Sequence, residues 1–345
     1  MAVDPVPYVV HGAKHSADVF RQAHYDATGG AEGISLPPDL NVKATGTPSS
    51  QIRVAPGGAT ILNSYQGGDG QSYSFRNASE TLVDVPASDS TGAKSYRIIA
   101  RVEDPQFGGQ APADPLAGPY AFLECVSQSA TIAHPHYILA DVVVPASTAT
   151  ITGAMITDRR EVANPIVGQF TFARERISAD SVRQIKLTRF FTEGGVGPFY
   201  GEYFPGGQDI PNTTRQRIPA RATHMHLNAD WMAISVKGGE NAWGRYWIEF
   251  GDEYRDHTWT SGRQYEFSTS QFGFDTSGAG TNYKESWPLK QVVYIPPKLR
   301  GKLVTFAFKA GLDDGSSTEA IEMAGLGGLA LQATFSMSPL DEDTI

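Results

Sequence analysis

"YILADVVVPASTATITGAMITDRR" (137–160) holds two β-branched runs separated by Pro-Ala-Ser. β-Branched side chains suit a pleated, half-buried surface, and proline does not continue a central strand. The stretch therefore predicts a core strand over "YILADVVVP", a turn at "AST" and a second strand over "ATITGAMITD". Asp158-Arg159-Arg160 marks the exit, where an Asp–Arg pair satisfies neighbouring charges. No nucleophile, metal-ligand set or phosphate loop lies in it.

The same grammar runs upstream. "QIRVAP" sets Ile52 and Val54 on one face, Gly57-Gly58 reads as a tight turn, and "GGDGQSYSFRN" alternates Tyr73 with Phe75. "SETLVDVPAS", "SYRIIARVEDP" and "PYAFLECVS" follow, the last two separated by the Pro/Gly loop "PQFGGQAPADPLAGP" (105–119). Short strands at such spacing predict a β-sandwich or small barrel. One helix is expected before them, over "HGAKHSADVFRQAHYDA" (11–27), ended by "TGGAEG".

Beyond residue 165 the pattern changes. "RISADSVRQIKLTRF" (176–190) is short and amphipathic, with Ser178 placed to cap a helix. It is too short to stand alone, and reads as a stem that packs against copies of itself. From Arg217 a second β region begins, and "ATHMHLNADWMAISV" alternates over more than a strand's usual length. The expected plan is mainly β: an N-terminal β-sandwich or barrel-like domain with a short helix (1–165), a linker or trimer stem (166–192), a C-terminal antiparallel β-sandwich of jelly-roll or lectin-like type (193–338) and a mobile tail (339–345).

Composition bounds the function. The 345 residues are 40% hydrophobic and only 19% charged, with 36 Gly and 22 Pro, a mix suited to many turns. Lys and Arg total 28 against 37 Asp and Glu, a net charge of −9. That balance argues against nucleic acid and against an anionic membrane surface as partners. The single cysteine, Cys125, permits no intrachain disulfide and reads as a buried, inert thiol. "MAVDPVPYVV" lacks the charged and apolar regions of a signal peptide, so synthesis in the cytoplasm is expected. No run is long and apolar enough to insert in a membrane.

Four segments in order carry a resemblance. "AEGISLPPDLNVKA", "IRVAPGGATIL", "YRIIARVEDPQFGG" and "ILADVVVPAST…ITDRR" follow one another across residues 11–165. Together this region resembles the N-terminal domain of minor tail, fibre or upper-baseplate proteins of long-tailed, siphovirus-type phages, especially those of actinobacterial hosts. The family's Pro-rich segment before the last motif is shortened here to "IAHPHYILA". The resemblance implies a structural component of the virion at the tail tip, docked on other tail-tip or baseplate proteins, as a homotrimer and without catalytic residues. It also implies that the C-terminal part meets a host cell-wall glycan.

The remaining chemistry lies in that C-terminal part. All 5 Trp fall between residues 231 and 287. "NAWGRYWIEFGDEYRDHTW" interleaves aromatic and polar groups, the mixture a sugar site uses for stacking and hydrogen bonding. The candidate glycan surface is Trp243, Tyr246, Tyr254 and Trp259 with Asp252 and Asp256. The alternative is core packing for about half of these rings, because strand residues alternate between faces. Trp243 and Trp259 are the best candidates for exposure. Glu249 with Asp252 raises a second possibility, a glycan-cleaving enzyme using two carboxylates, although no enzyme is expected. A third alternative is a purely structural tail-tip component with no receptor.

Two further groups concern metals. His224 and His226 share a strand face at a spacing that suits one metal ion; a solvent-facing placement of both is the alternative. His134-Pro-His136 has the same spacing in a turn. "LDDGSSTE" (312–319) and the carboxylates near residue 252 are oxygen-rich enough for Ca²⁺, without an EF-hand pattern.

Overall fold

The structure is a computed structural model that describes residues 11–12, 14–175, 185–190, 201–206, 212–251, 269–275 and 280–338. The chain divides between Pro165 and Ile166, and the second unit runs to Met337. The fold is mainly β, with one α-helix among the described residues.

The first unit begins with α1 (Ala17–Thr28). Ser16 caps it by accepting from the Val19 N–H, and Gly29 ends it at φ 63°, a left-handed conformation that a Cβ disfavours. Three antiparallel sheets follow. One contains β1 (Gly33–Ile34), β4 (Gly57–Leu62) and β5 (Ser72–Asn77); another β2 (Val42–Ala44), β3 (Gln51–Val54) and β6 (Thr81–Asp84). The third orders β10 (Ile156–Asp158), β9 (His136–Val144), β7 (Lys94–Val102) and β8 (Ala121–Ser127). β6 neighbours β8 and β10 neighbours β2, so the last two sheets come close to a closed barrel. Ile52, Ile98, Ile99, Leu139 and Ile151 are all buried within this unit.

Three local expectations change. Gly57 and Gly58 are not a turn but the start of β4, where Gly57 at φ 153° lies against Asp39. "ATITGAMITD" is not one strand. Ile151 plugs into the core, a 3-10 turn spans Gly153–Met155, and only Ile156–Asp158 joins the sheet. Cys125 is half-buried rather than buried, and burial still pushes its thiol up to about 11.

The motifs of the resemblance are the residues that lock this unit. Arg160 is 4% exposed. Its Nη1 donates to the carbonyls of Pro37 (3.0 Å) and Asp39 (2.6 Å), while Nε and Nη2 donate to the Asp158 carboxylate at 2.9 and 2.7 Å. Ile34 exchanges backbone bonds with Glu161 and Ala163. Gly33 is required there, because a Cβ would strike the Glu161 carbonyl. In the third motif, Asp104 accepts from Arg21 Nη1 and Tyr73 Oη, both at 3.0 Å, and from the Gln106 N–H at 2.9 Å. Arg21, itself buried between Tyr73 and Phe107, thereby ties α1 to the sheet region. Burial and the Asp104 carboxylate both push the Tyr73 hydroxyl well above its usual value.

The second unit is a two-sheet sandwich. One sheet orders β11 (Ile166–Glu175), β19 (Ile321–Ser336), β14 (His224–Val236) and β17 (Tyr283–Tyr294). The other orders β12 (Glu202–Tyr203), β18 (Leu303–Leu312), β15 (Asn241–Phe250) and β16 (Thr269–Asp275), and β13 (Thr213–Arg217) also pairs with β18. Counting β11 first and β13 second, the strand orders are 1-8-3-6 and 2-7-4-5. That interleaving is an eight-stranded jelly roll.

The stem is corrected by this arrangement. Residues 166–175 form strand β11, paired along its length with β19, because Phe170 and Phe172 alternate inward against Phe306 and Phe308. Residues 185–190 also belong to the sandwich. Leu187 is fully buried, its N–H donates to the Ile321 carbonyl, and the buried Glu202 carboxylate accepts from the Thr188 and Arg189 N–H groups. Burial raises the Glu202 carboxyl while those amides pull it back. Residues 176–184, including the Ser178 cap, and the tail 339–345 lie outside the described residues.

Candidate functional site

β15 sorts the aromatic cluster by parity. Ala242, Tyr246, Ile248 and Phe250 point into the sandwich; Trp243, Arg245, Trp247 and Glu249 point to the opposite face of the sheet. Tyr246 is thereby a core residue, 4% exposed. Its ring stacks on Trp287 with centroids 5.1 Å apart, and its hydroxyl donates to the Pro288 carbonyl at 2.9 Å. Trp231 and Trp287 are likewise interior, and Trp231 Nε1 donates to the Phe204 carbonyl. Tyr246 is removed from the candidate surface for this reason.

Trp243 stands apart at 42% exposed. Its backbone is fixed on both sides by one hydroxyl: the Trp243 N–H donates to Ser316 Oγ, which donates back to the Trp243 carbonyl, both at 2.9 Å. The same carbonyl accepts from the Asp313 N–H. Its indole leans across the ladder onto Gly273 of β16. A methyl group at Gly273 would lie 3.1 Å from Cδ1 and 3.7 Å from Nε1. The ring is thus held at the sheet surface with part of its π-face open. Sequence reasoning found Trp243 but not Ser316 or Gly273, since no local spacing joins residues 243, 273 and 316.

On the same side of β15, further along, Trp247 and Glu249 are buried. Gly201 presses on Trp247, with an ideal Cβ only 2.8 Å from Cη2. Lys309 Nζ lies 3.2 Å from Glu249 Oε2 and sits over the rings of Tyr203 and Trp247 at 5.5 and 5.9 Å. The Glu249 carboxylate is committed to this ion pair. Asp252, Tyr254, Asp256 and Trp259 lie outside the described residues.

His224 and His226 do share a face of β14, but not as a solvent-facing pair. His224 is 7% exposed, packed edge-on against Tyr294, with Nδ1 2.9 Å from the Thr223 hydroxyl. Burial lowers its pKa, and the nearby His226 and Arg300 lower it further. His226 is exposed, with Nε2 3.2 Å from Ser336 Oγ. His134 and His136 diverge: His134 Nδ1 meets the Tyr65 hydroxyl at 2.8 Å, and His136 Nδ1 donates to the His134 carbonyl. Among the described residues no group of three or more His, Cys, Asp or Glu comes together to hold a metal ion. No helix among them is long and apolar enough to cross a membrane.

The first unit adds a cleft of about 460 Å³ that the sequence did not signal, lined by Glu32, Leu62, Ser64, His136, Tyr137 and Arg159. Glu32 accepts from the Leu62 N–H at 3.0 Å, and burial pushes its carboxyl upward.

No family model and no curated protein matches the sequence. Among solved structures, the chain is similar to the VP2 subviral particle of infectious bursal disease virus, with 10% identity and a TM-score of 0.26 over 90% of this chain and 72% of that one. It is also similar to the tandem CBM22-1–CBM22-2 domain of Paenibacillus barcinonensis Xyn10C, with 8% identity and a TM-score of 0.19 over 86% of this chain and 93% of that one. Likenesses at this level establish neither a common fold nor a common role.

Proposed function

We propose that this chain is a structural protein of a phage tail tip or baseplate. Residues 11–165 attach it to neighbouring tail proteins, as a homotrimer, and the jelly roll of Ile166–Met337 is displayed to bind a glycan of the host cell surface during adsorption. The observation that carries the reading is the ordered motif series. Its residues Gly33, Asp104, Asp158 and Arg160 are spent on locking one β unit, as a docking module requires. No catalytic role is assigned to them. The jelly roll supports display, since its Trp243 is rigidly held yet open.

The test is size and location. Light scattering of the purified chain should give three times its 37.2 kDa mass. Antibody against it should label one end of purified virions. A monomer that is absent from virions overturns the reading.

A further inference from the structure

We propose that Trp243 and Gly273 form the stacking subsite for a single neutral pyranose ring with a continuous apolar C–H face, of the galactose type. The inference rests on the glycan-binding reading above and adds the place and the ligand class.

Three observations carry it. First, the exposed indole is anchored at both ends: Ser316 Oγ holds its backbone, and its pyrrole edge rests on the bare Cα of Gly273. A ring fixed before binding loses little freedom when a ligand arrives. Second, Gly273 does not occupy the left-handed region, so its backbone would accept a side chain; the indole is what a side chain there would meet. Third, the ladder register borders the platform with hydrogen-bonding residues. Arg245 lies opposite Gln271 on one side, and Asn241 lies opposite Asp275 on the other. Each pair is two residues, about 7 Å, along the strands from Trp243 and Gly273.

The chemistry follows. Indole faces attract apolar C–H surfaces. In galactose the axial C4 hydroxyl leaves C3–H, C4–H and C5–H together on one face, while its hydroxyls point outward from the rim. Amide, guanidinium and carboxylate groups beside the platform suit those hydroxyls as donors and acceptors. Arg245, Asp275 and Asp313 flank the ring, so the platform has no excess of cations with which to select a polyanionic glycan.

The experiment is saturation-transfer NMR on the full chain with methyl β-D-galactopyranoside. Three proteins are compared: the native chain, Trp243→Ala and Gly273→Val, with thermal unfolding confirming that each variant is folded. Transfer strongest at H3, H4 and H5 is expected in the native chain. Affinity should fall about tenfold or more in Trp243→Ala and measurably in Gly273→Val. Equal transfer in native and Trp243→Ala proteins overturns the subsite. Native chain that binds host envelopes but gives no transfer from the galactoside also overturns it, while leaving the broader reading intact. Binding to neither probe overturns both.

Discussion

The guanidinium of Arg160 meets the carbonyl oxygen of Asp39 at 2.6 Å, across 121 positions of sequence. The Asp39 carboxylate in turn accepts from the N–H groups of Leu36 and Gly58. The last motif of the first unit therefore closes onto the first and second. A buried guanidinium persists only with its donors satisfied, and Arg160 has Asp158 and two carbonyls for that purpose.

Arg160→Met should destabilise the first unit by about 2 kcal/mol, because it leaves the Pro37 and Asp39 carbonyls without their donor, while the exposed Asp158 carboxylate is rehydrated. Arg160→Lys should recover little, since one ammonium does not reproduce the planar fork. Urea unfolding followed by circular dichroism reads both. A loss below about 1 kcal/mol would show that the closure is not held by this residue.

Lys309 and Glu249 are a buried pair and should behave as one. Either single change, Lys309→Met or Glu249→Leu, should cost about 3 kcal/mol, whereas the double variant should recover most of it. A double-mutant cycle by thermal unfolding measures this. Additive losses would mean that the two charges act separately.

His224 gives the second unit an acid sensitivity of definite sign. Its folded pKa lies below the ordinary histidine value of 6.5, first through burial and then through His226 and Arg300. Folding therefore favours the neutral ring. Its contribution is complete above pH 6.5 and is lost as pH falls below it, when the unfolded chain takes up a proton that the folded chain resists. His224→Gln should flatten the loss of stability as pH falls below about 6.5. An unchanged slope in denaturant titrations would assign the acid response elsewhere.

Ser316→Ala removes both bonds to the Trp243 backbone at a site that is otherwise closed. A cost of about 1–2 kcal/mol is expected, and Trp243 should become more accessible to quenchers. Acrylamide quenching of tryptophan fluorescence is the readout. The three described tryptophans other than Trp243 are buried and contribute little to the change.

Much of the first unit was legible because its signals are local. The β9 run of Ile, Leu and Val, the Gly-Gly stop after α1 and the Pro/Gly loop each state their conformation within a few residues, whereas α1 starts at Ala17, later than the expected residue 11. Where the reading failed, a distant contact had overruled the local pattern. Gly57-Gly58 looks like a turn until β5 pairs with it, and "ATIT" looks like a strand until Ile151 is needed in the core. Residues 166–175 looked like a linker because the partner strand β19 lies more than 150 residues away.

The amino-acid sequence by itself determined the β class, the order of motifs and the concentration of tryptophans, since these follow from periodicity and composition. Only the tertiary structure decided which tryptophans matter. Residue parity placed Trp243 and Trp247 on one face of β15, but Gly201 covers Trp247 while Gly273 and Ser316 hold Trp243 in the open. Exposure depends on what arrives from elsewhere in the chain, and no local pattern encodes it.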